Sequence, residues 1–285
     1  MFLQSTFQLT LVADSEKFNK IFDRAYSVLE YVDENRYADS ALASKGITIL
    51  YYDSQYKKKI RLIVNPCQML NSYKPDPEKL VRKLEKRVSG YFNNKYQLDD
   101  FNLTGMALTT DIDVHSSEKV FAYLKVLRRI GKVKGFSPSK DNLLDDDISF
   151  CLDGNSNGIK FQFYDLEAML SQQASDLCFS IVQNSVPDDC EGLLRAEVIL
   201  VKPKAIRGYT NKSAISKQIA ELLDSRQQIF LDTFLRVVPF GNFYKKEKAE
   251  EIIRVKVKNA TIRRKMLWLV GLVPEKNRFC WLRKH

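Results

Sequence analysis

Three segments between Phe101 and Leu200 restrict what this chain can fold into. Leu108-Thr-Thr-Asp-Ile-Asp-Val114, Gly158-Ile-Lys-Phe-Gln-Phe-Tyr-Asp165 and Leu194-Arg-Ala-Glu-Val-Ile-Leu200 alternate apolar with polar residues, the period of a half-buried strand. Residues two apart on a strand share a face. Asp111 and Asp113 therefore project together with Thr109, Arg195 projects with Glu197, and Tyr164 with Gln162, opposite Phe161 and Phe163. Paired carboxylates repel unless a metal ion, Lys or Arg lies between them. An all-oxygen set of this kind suits Mg2+ or Mn2+. Tyr164 or Asp165 at a strand end, beside such a set, is the equipment of an enzyme acting on phosphodiesters, with the phenol as nucleophile. The same pattern also describes the solvent face of an ordinary sheet, with Arg195 and Glu197 as a surface ion pair of little energetic weight.

The flanking segments build an element order around these strands. Phe2 to Val12 alternates as a strand, Asp14-Ser15 caps a helix, and Phe18, Ile21, Phe22, Ala25, Val28, Leu29 and Val32 form its apolar stripe. Residues 33–45 read as a polar loop. Ile47–Tyr52 and Lys59–Val64 flank a short turn and read as a hairpin. Asp76-Pro77 then opens a helix in the favoured order of cap and first-turn proline. The order recurs from Phe101: a strand, a helix capped at Ser116 or Ser117, and a hairpin about the Gly154-Asn-Ser-Asn-Gly158 turn, which favours positive φ. The strand Leu193–Val201 closes it. Ser213–Leu223 and Gln228–Val238 read as two helices, with Lys245–Val255 and Thr261–Val270 after the break at Pro239. The expected fold class is α+β: a twisted, mainly antiparallel sheet built from two β-α-β-β-α-like units with helices largely on one face, plus a basic helical C-terminal region. The expected division is residues 1–95, an N-terminal half; 96–204, a catalytic-like half; and 205–285, a basic helical DNA-binding region.

Charge separates the last region from the rest. Residues 201–285 carry 20 Lys and Arg against 7 Asp and Glu, a net +13, whereas residues 1–200 carry −3. A basic third on a near-neutral body is the electrostatic footprint of a nucleic-acid binder. The candidate DNA contacts are Lys125, Arg128, Arg129, Lys132 and Lys134 on one helix and its exit, with Lys256, Lys258, Arg263, Arg264 and Lys265 in the C-terminal region. Other chemistries lack their residues. Histidine occurs only at 115 and 285, which excludes a His-rich zinc site. No GxSxG, HExxH, P-loop or dinucleotide fingerprint is present. Five cysteines with no CxxC fit reduced thiols in a cytoplasmic protein. No apolar run nears the ~20 residues that cross a bilayer, so no membrane association is expected.

Taken in order, the strand ending Thr110-Asp-Ile-Asp113, then Gly158-Ile-Lys-Phe-Gln-Phe-Tyr-Asp165, then Leu194-Arg-Ala-Glu-Val-Ile-Leu200 resembles the replication initiation factors of rolling-circle plasmids, phages and integrative elements, the Rep_trans-type initiators. Ile60-Arg-Leu-Ile-Val-Asn-Pro66, Val126-Leu-Arg-Arg-Ile-Gly-Lys-Val-Lys-Gly135 and Gly154-Asn-Ser-Asn-Gly-Ile159 are similar to segments of such proteins from Firmicute mobile elements. The resemblance spans residues 46–204. It implies a protein that binds origin DNA, nicks one strand through a tyrosine in a reaction needing Mg2+ or Mn2+, and recruits a helicase, with a homodimer as a further expectation. Carried over by position, Tyr164 would be the nucleophile, Arg195 its neighbour at the scissile phosphate, and Asp113 and Glu197 the metal ligands; Asp111 joins that metal set only through the strand face it shares with Asp113. The sequence departs from the family where Asp111 stands for a frequent Arg and Leu166 for a frequent Lys. Both changes remove positive charge, which favours a catalytically silent DNA-binding protein on the same scaffold as the alternative.

Overall fold

The computed structural model describes residues 3–33, 35–128, 133–139, 148–155, 158–172, 189–238, 241–271 and 279–283. The first unit begins with β1 (Gln4–Val12), whose Phe7, Leu9 and Leu11 point into the core. Asp14 then caps α1 (Ser15–Ala25), its carboxylate accepting the Glu16 and Lys17 amides at 3.0 and 3.2 Å. β2 (Glu30–Asp33), β3 (Arg36–Asp39), β4 (Ile47–Asp53) and β5 (Lys58–Val64) follow. A short helix, α2 (Pro66–Leu70), and a longer one, α3 (Pro77–Tyr91), complete the unit. Pro77 occupies the first turn of α3 and Asp76 accepts the Lys79 amide at 2.7 Å.

The second unit repeats that plan. β6 (Asn102–Asp113) leads through Ser116, the N-cap, into α4 (Ser117–Leu127). β7 (Phe136–Pro138), β8 (Ser149–Gly154), β9 (Ile159–Asp165), α5 (Leu166–Gln172) and β10 (Leu193–Leu200) follow. The β8–β9 turn closes on Gly158 at φ +68°, the left-handed backbone that glycine adopts without cost. Thereafter come α6 (Pro203–Arg207), α7 (Ile215–Val237), β11 (Gly241–Lys245), α8 (Lys246–Lys256), α9 (Ala260–Gly271) and β12 (Phe279–Arg283).

The strands form a ten-stranded sheet in the order β2-β3-β4-β5-β1-β6-β10-β9-β8-β7, with antiparallel pairing between every pair of neighbours. β1 and β6, the first strands of the two units, pair at the centre. Each unit then runs outward through its own hairpin. The expected double β-α-β-β-α arrangement is therefore present, with one asymmetry: β10 lies between β6 and β9.

One face of this sheet carries the core. Phe18, Ile21 and Phe22 of α1, Leu80, Leu84 and Val88 of α3, Val120, Leu124 and Leu127 of α4, and Ile219, Leu222, Leu223, Phe230 and Val237 of α7 join one apolar cluster with the inward strand residues. Burying each large apolar side chain contributes about 1.5–3 kcal/mol, which explains why the helices gather on this face. The other face carries Thr109, Asp111, Gln162, Tyr164, Arg195 and Glu197.

Three sequence expectations need correction. Residues 33–45 are not all loop, because β2 and β3 form a hairpin and β3 extends the sheet along β4. The strands are four residues each and their apolar content is low, too little for alternation to stand out. α1 stops at Ala25, so Val28, Leu29 and Val32 are not on its stripe. The two helices expected at 213–238 are one, α7, of 23 residues. Asp224-Ser-Arg-Gln227 contains no Gly or Pro, and Leu222, Leu223, Ile229 and Phe230 keep helical phase across it.

Candidate functional site

The register of β10 against its two neighbours decides which polar side chains meet. Arg195 lies opposite Asp111 of β6 and Tyr164 of β9; Glu197 lies opposite Thr109 and Gln162. Gly192 sets the entry to β10. Its φ is +70°, its carbonyl accepts the Val114 amide at 3.0 Å, and a Cβ there would come within 2.4 Å of the Ser116 nitrogen. Only glycine lets the chain pass that close and start β10 alongside the end of β6.

Two anchored groups result. The Arg195 guanidinium donates through Nε to Asp111 Oδ1 at 2.6 Å and through its terminal nitrogen to Asp111 Oδ2 at 2.9 Å, the two-pronged geometry that suits arginine to carboxylates. The Arg195 side chain is 2% exposed and that of Asp111 17%. Glu197 accepts from three donors: the Tyr164 hydroxyl at 2.9 Å, the Thr109 hydroxyl at 3.1 Å and the Gln162 amide at 2.5 Å. Tyr164 is buried, its ring packed with Leu166 and Met169 of α5 and with Cys190 and Leu193.

Electrostatics fix the protonation states. Burial, then the adjacent Glu197 charge, raise the Tyr164 phenol well above its ordinary value, while Arg195 acts in the opposite direction. Tyr164 is therefore a neutral donor at neutral pH. Burial works against the Arg195 charge, but its bonds to Asp111 and the nearby Tyr164 and Glu197 prevail and push its pKa upward. Asp111 thus has a cation of the protein's own beside it.

The expected metal set is not assembled in this arrangement. Asp113 lies opposite Leu193, and Glu197 opposite Thr109; four residues of strand rise separate the two carboxylates by ~13 Å, far beyond a shared ion. Asp113 is instead exposed, accepting the His115 amide at 2.8 Å with the imidazole Nδ1 at 3.1 Å. Both oxygens of Asp111 are taken by Arg195, and both of Glu197 by its three donors. Among the described residues no three His, Cys, Asp or Glu side chains come together as a metal would require. Asp165, the other acidic candidate at this strand end, accepts the Ala168 amide at 3.1 Å and starts α5. Thr109 and Gln162 were missed as cluster members; their place on the same face as Asp111 and Tyr164 was the available signal.

Tyr51, Tyr91 and Tyr96 share the elevation of the Tyr164 phenol, Tyr51 and Tyr96 buried and Tyr91 half-buried. Tyr51 and Tyr91 bond each other at 2.8 Å, Tyr91 donates to the buried Asp39, and burial is the leading cause that raises both. The unfolded chain ionises these phenols near pH ~10, whereas the fold keeps them protonated. Above that pH the unfolded state binds fewer protons, so stability falls as pH rises. The expected result is a melting temperature that declines between pH 9 and 11, with Tyr51 and Tyr164 each removing up to ~1.4 kcal/mol per pH unit above 10. Thermal unfolding paired with phenolate absorbance checks this: ionisation should coincide with unfolding rather than precede it.

The expected DNA contacts occupy two places. Lys125 and Lys134 are exposed, Lys125 lying 3.8 Å above the Phe121 ring. Arg128 donates to the Ser149 carbonyl at 3.1 Å, tying α4 to the sheet. Arg129 and Lys132 lie outside the described residues. In the C-terminal region Lys256, Lys258, Arg264 and Lys265 are exposed and Arg263 is half-buried. Among the described residues no helix is long and apolar enough to cross a membrane.

No protein-family model matches the sequence, and no curated protein does. Among solved structures, the chain is similar to a rolling circle replication initiator protein from Geobacillus stearothermophilus, at 14% identity and a TM-score of 0.33, over 94% of this chain and 96% of that one. A likeness at that level gives no residue its role.

Proposed function

We propose that the protein binds duplex DNA, as an initiator-type protein of a mobile element, and that in this folded arrangement Tyr164 is closed off from nicking. The observation that carries the binding is the charge partition: +13 after residue 200, with Arg254, Lys256, Lys258, Arg264 and Lys265 exposed on and between two neighbouring helices. Clustered cations that face solvent bind phosphates by releasing counterions. The order of the three motif strands supports the initiator reading. The closed site follows from a neutral phenol buried beneath α5.

A second reading, strand nicking, is favoured by one contact: the Tyr164 hydroxyl already donates to a carboxylate, with a guanidinium alongside. In that reaction the phenol oxygen bonds to phosphorus, its proton passes to Glu197, and the 3′ oxygen leaves. α5 would have to lift first.

The test is incubation with supercoiled plasmid carrying the bound site, with and without Mg2+ or Mn2+. The expected outcome is metal-independent retention of the DNA, no relaxed circle, and equal binding by Tyr164→Phe. Relaxed circles with a covalent 5′ adduct, lost in Tyr164→Phe, would select nicking instead. Failure to retain DNA in any form would reject both.

A further inference from the structure

The C-terminal region runs helix, strand, helix, helix, strand: α7, β11, α8, α9 and β12, with β11 and β12 paired antiparallel from Gly241↔Arg283 to Lys245↔Phe279. That order is the one in which a helix-turn-helix carries a two-stranded ribbon at its side. The turn is three residues long, Val257-Lys-Asn259. Asn259 caps α9, its side-chain oxygen accepting the Thr261 and Ile262 amides at 3.0 and 3.1 Å, and the Arg263 amide bonds the Asn259 carbonyl at 2.9 Å. α8 and α9 pack on each other through a small core of their own: Ala249, Ile253 and Val270, with Val257, Met266 and Leu267 against them.

This core fixes which way α9 faces. At ~100° per residue, Met266, Leu267 and Val270 centre on one side of the helix. Thr261, Arg264, Lys265 and Trp268 fall within an arc of roughly 100° on the opposite side. All four are exposed, and Trp268, a large aromatic, is 65% exposed. Arg263 turns the other way and reaches the Val257 carbonyl at 3.5 Å. An outward helix face with two cations, a hydroxyl and an indole is complementary to a groove lined with base acceptors, thymine methyls and flanking phosphates. The major groove of B-DNA admits one helix of this width.

We propose that α9 is a recognition helix that enters the DNA major groove and reads base edges through Thr261, Arg264, Lys265 and Trp268, while Lys256 and Lys258 before it hold phosphates. This rests on the DNA-binding reading above and adds the element and the residues that give it sequence preference. The four positions lie in the first three turns of the second helix, where helix-turn-helix proteins contact bases.

The test is selection of sites from a randomised duplex library by the full chain, followed by competition binding with Arg264→Ala, Lys265→Ala and Trp268→Ala. Lys258→Ala is the phosphate control. All four side chains are exposed, so circular dichroism and melting should match wild type. The expected result is an enriched site for wild type and a loss of about tenfold or more in preference at individual base pairs for Arg264→Ala. Binding to unrelated duplex should change little. Lys258→Ala should weaken all duplexes alike. If wild type selects a site but the α9 variants keep its full preference, the recognition-helix assignment is overturned while DNA binding stands. The same holds if single-stranded RNA competes better than any duplex. If wild type retains no nucleic acid at low salt, the DNA-binding reading falls and this inference with it.

Discussion

An Asp111→Ala variant is expected to be less stable than wild type by about 3–5 kcal/mol, the cost of removing the carboxylate from a buried ion pair. Arg195 is 2% exposed and spends two of its donors on Asp111. Glu197 is the nearest other carboxylate on β10, but Thr109, Gln162 and Tyr164 already occupy it. The guanidinium therefore stays charged, since arginine does not release its proton, and remains far from water. Replacing both partners by apolar residues, Asp111→Leu with Arg195→Met, should cost less than Asp111→Ala alone, because the buried guanidinium is removed with its carboxylate. Urea unfolding followed by circular dichroism measures both. A loss below ~1 kcal/mol for Asp111→Ala, smaller than a buried pair implies, would show that Arg195 finds another acceptor. The bidentate contact would then be incidental to the fold.

Raising monovalent salt from 50 to 200 mM should lower duplex affinity by about 10³-fold if six phosphates are neutralised. The exposed cations Arg254, Lys256, Lys258, Lys202, Lys204, Lys125 and Lys134 are sufficient for that number without the two assigned to base edges. Neutralising two of them, Lys256→Gln with Lys258→Gln, should reduce the slope of log affinity against log salt by about two. Fluorescence anisotropy with a labelled duplex gives the slope directly. A slope of two or less for wild type would mean that the charge of residues 201–285 serves solubility rather than phosphate binding.

The sheet was legible because its strands alternate cleanly. Phe7, Leu9 and Leu11, Ile60, Leu62 and Val64, and Phe161 and Phe163 all point into the core as their spacing implies. The helix starts at Asp14 and Asp76 were equally plain, and of Ser116 and Ser117 the first is the cap; each of the three accepts a first-turn amide. Elements carried by neither signal were lost: the β2–β3 hairpin is short and polar, and α7 was divided at a polar stretch that breaks nothing. In the candidate site, alternation placed Asp111 with Asp113 and Arg195 with Glu197. Parity cannot say how far one strand slides along another. The register Arg195↔Asp111 and Glu197↔Thr109 is set by the close passage at Gly192 and by packing of the far face. It joins Asp111 to Arg195 as a salt bridge and leaves Asp113 at the strand end beside His115.

The place of β10 in the sheet bears on how the chain matures. It is the last of the ten strands to be synthesised, yet it lies between β6 and β9. Until residues 193–200 leave the ribosome, the nascent sheet exists as two pieces, each ending in an open edge that can pair with another chain. Joining them needs contacts between residues far apart in sequence, which slows folding. Arg195 and Glu197 arrive on that same strand. The polar cluster therefore forms in the step that closes the sheet, and a chain stalled before residue 193 presents the edges of β6 and β9 to chaperones.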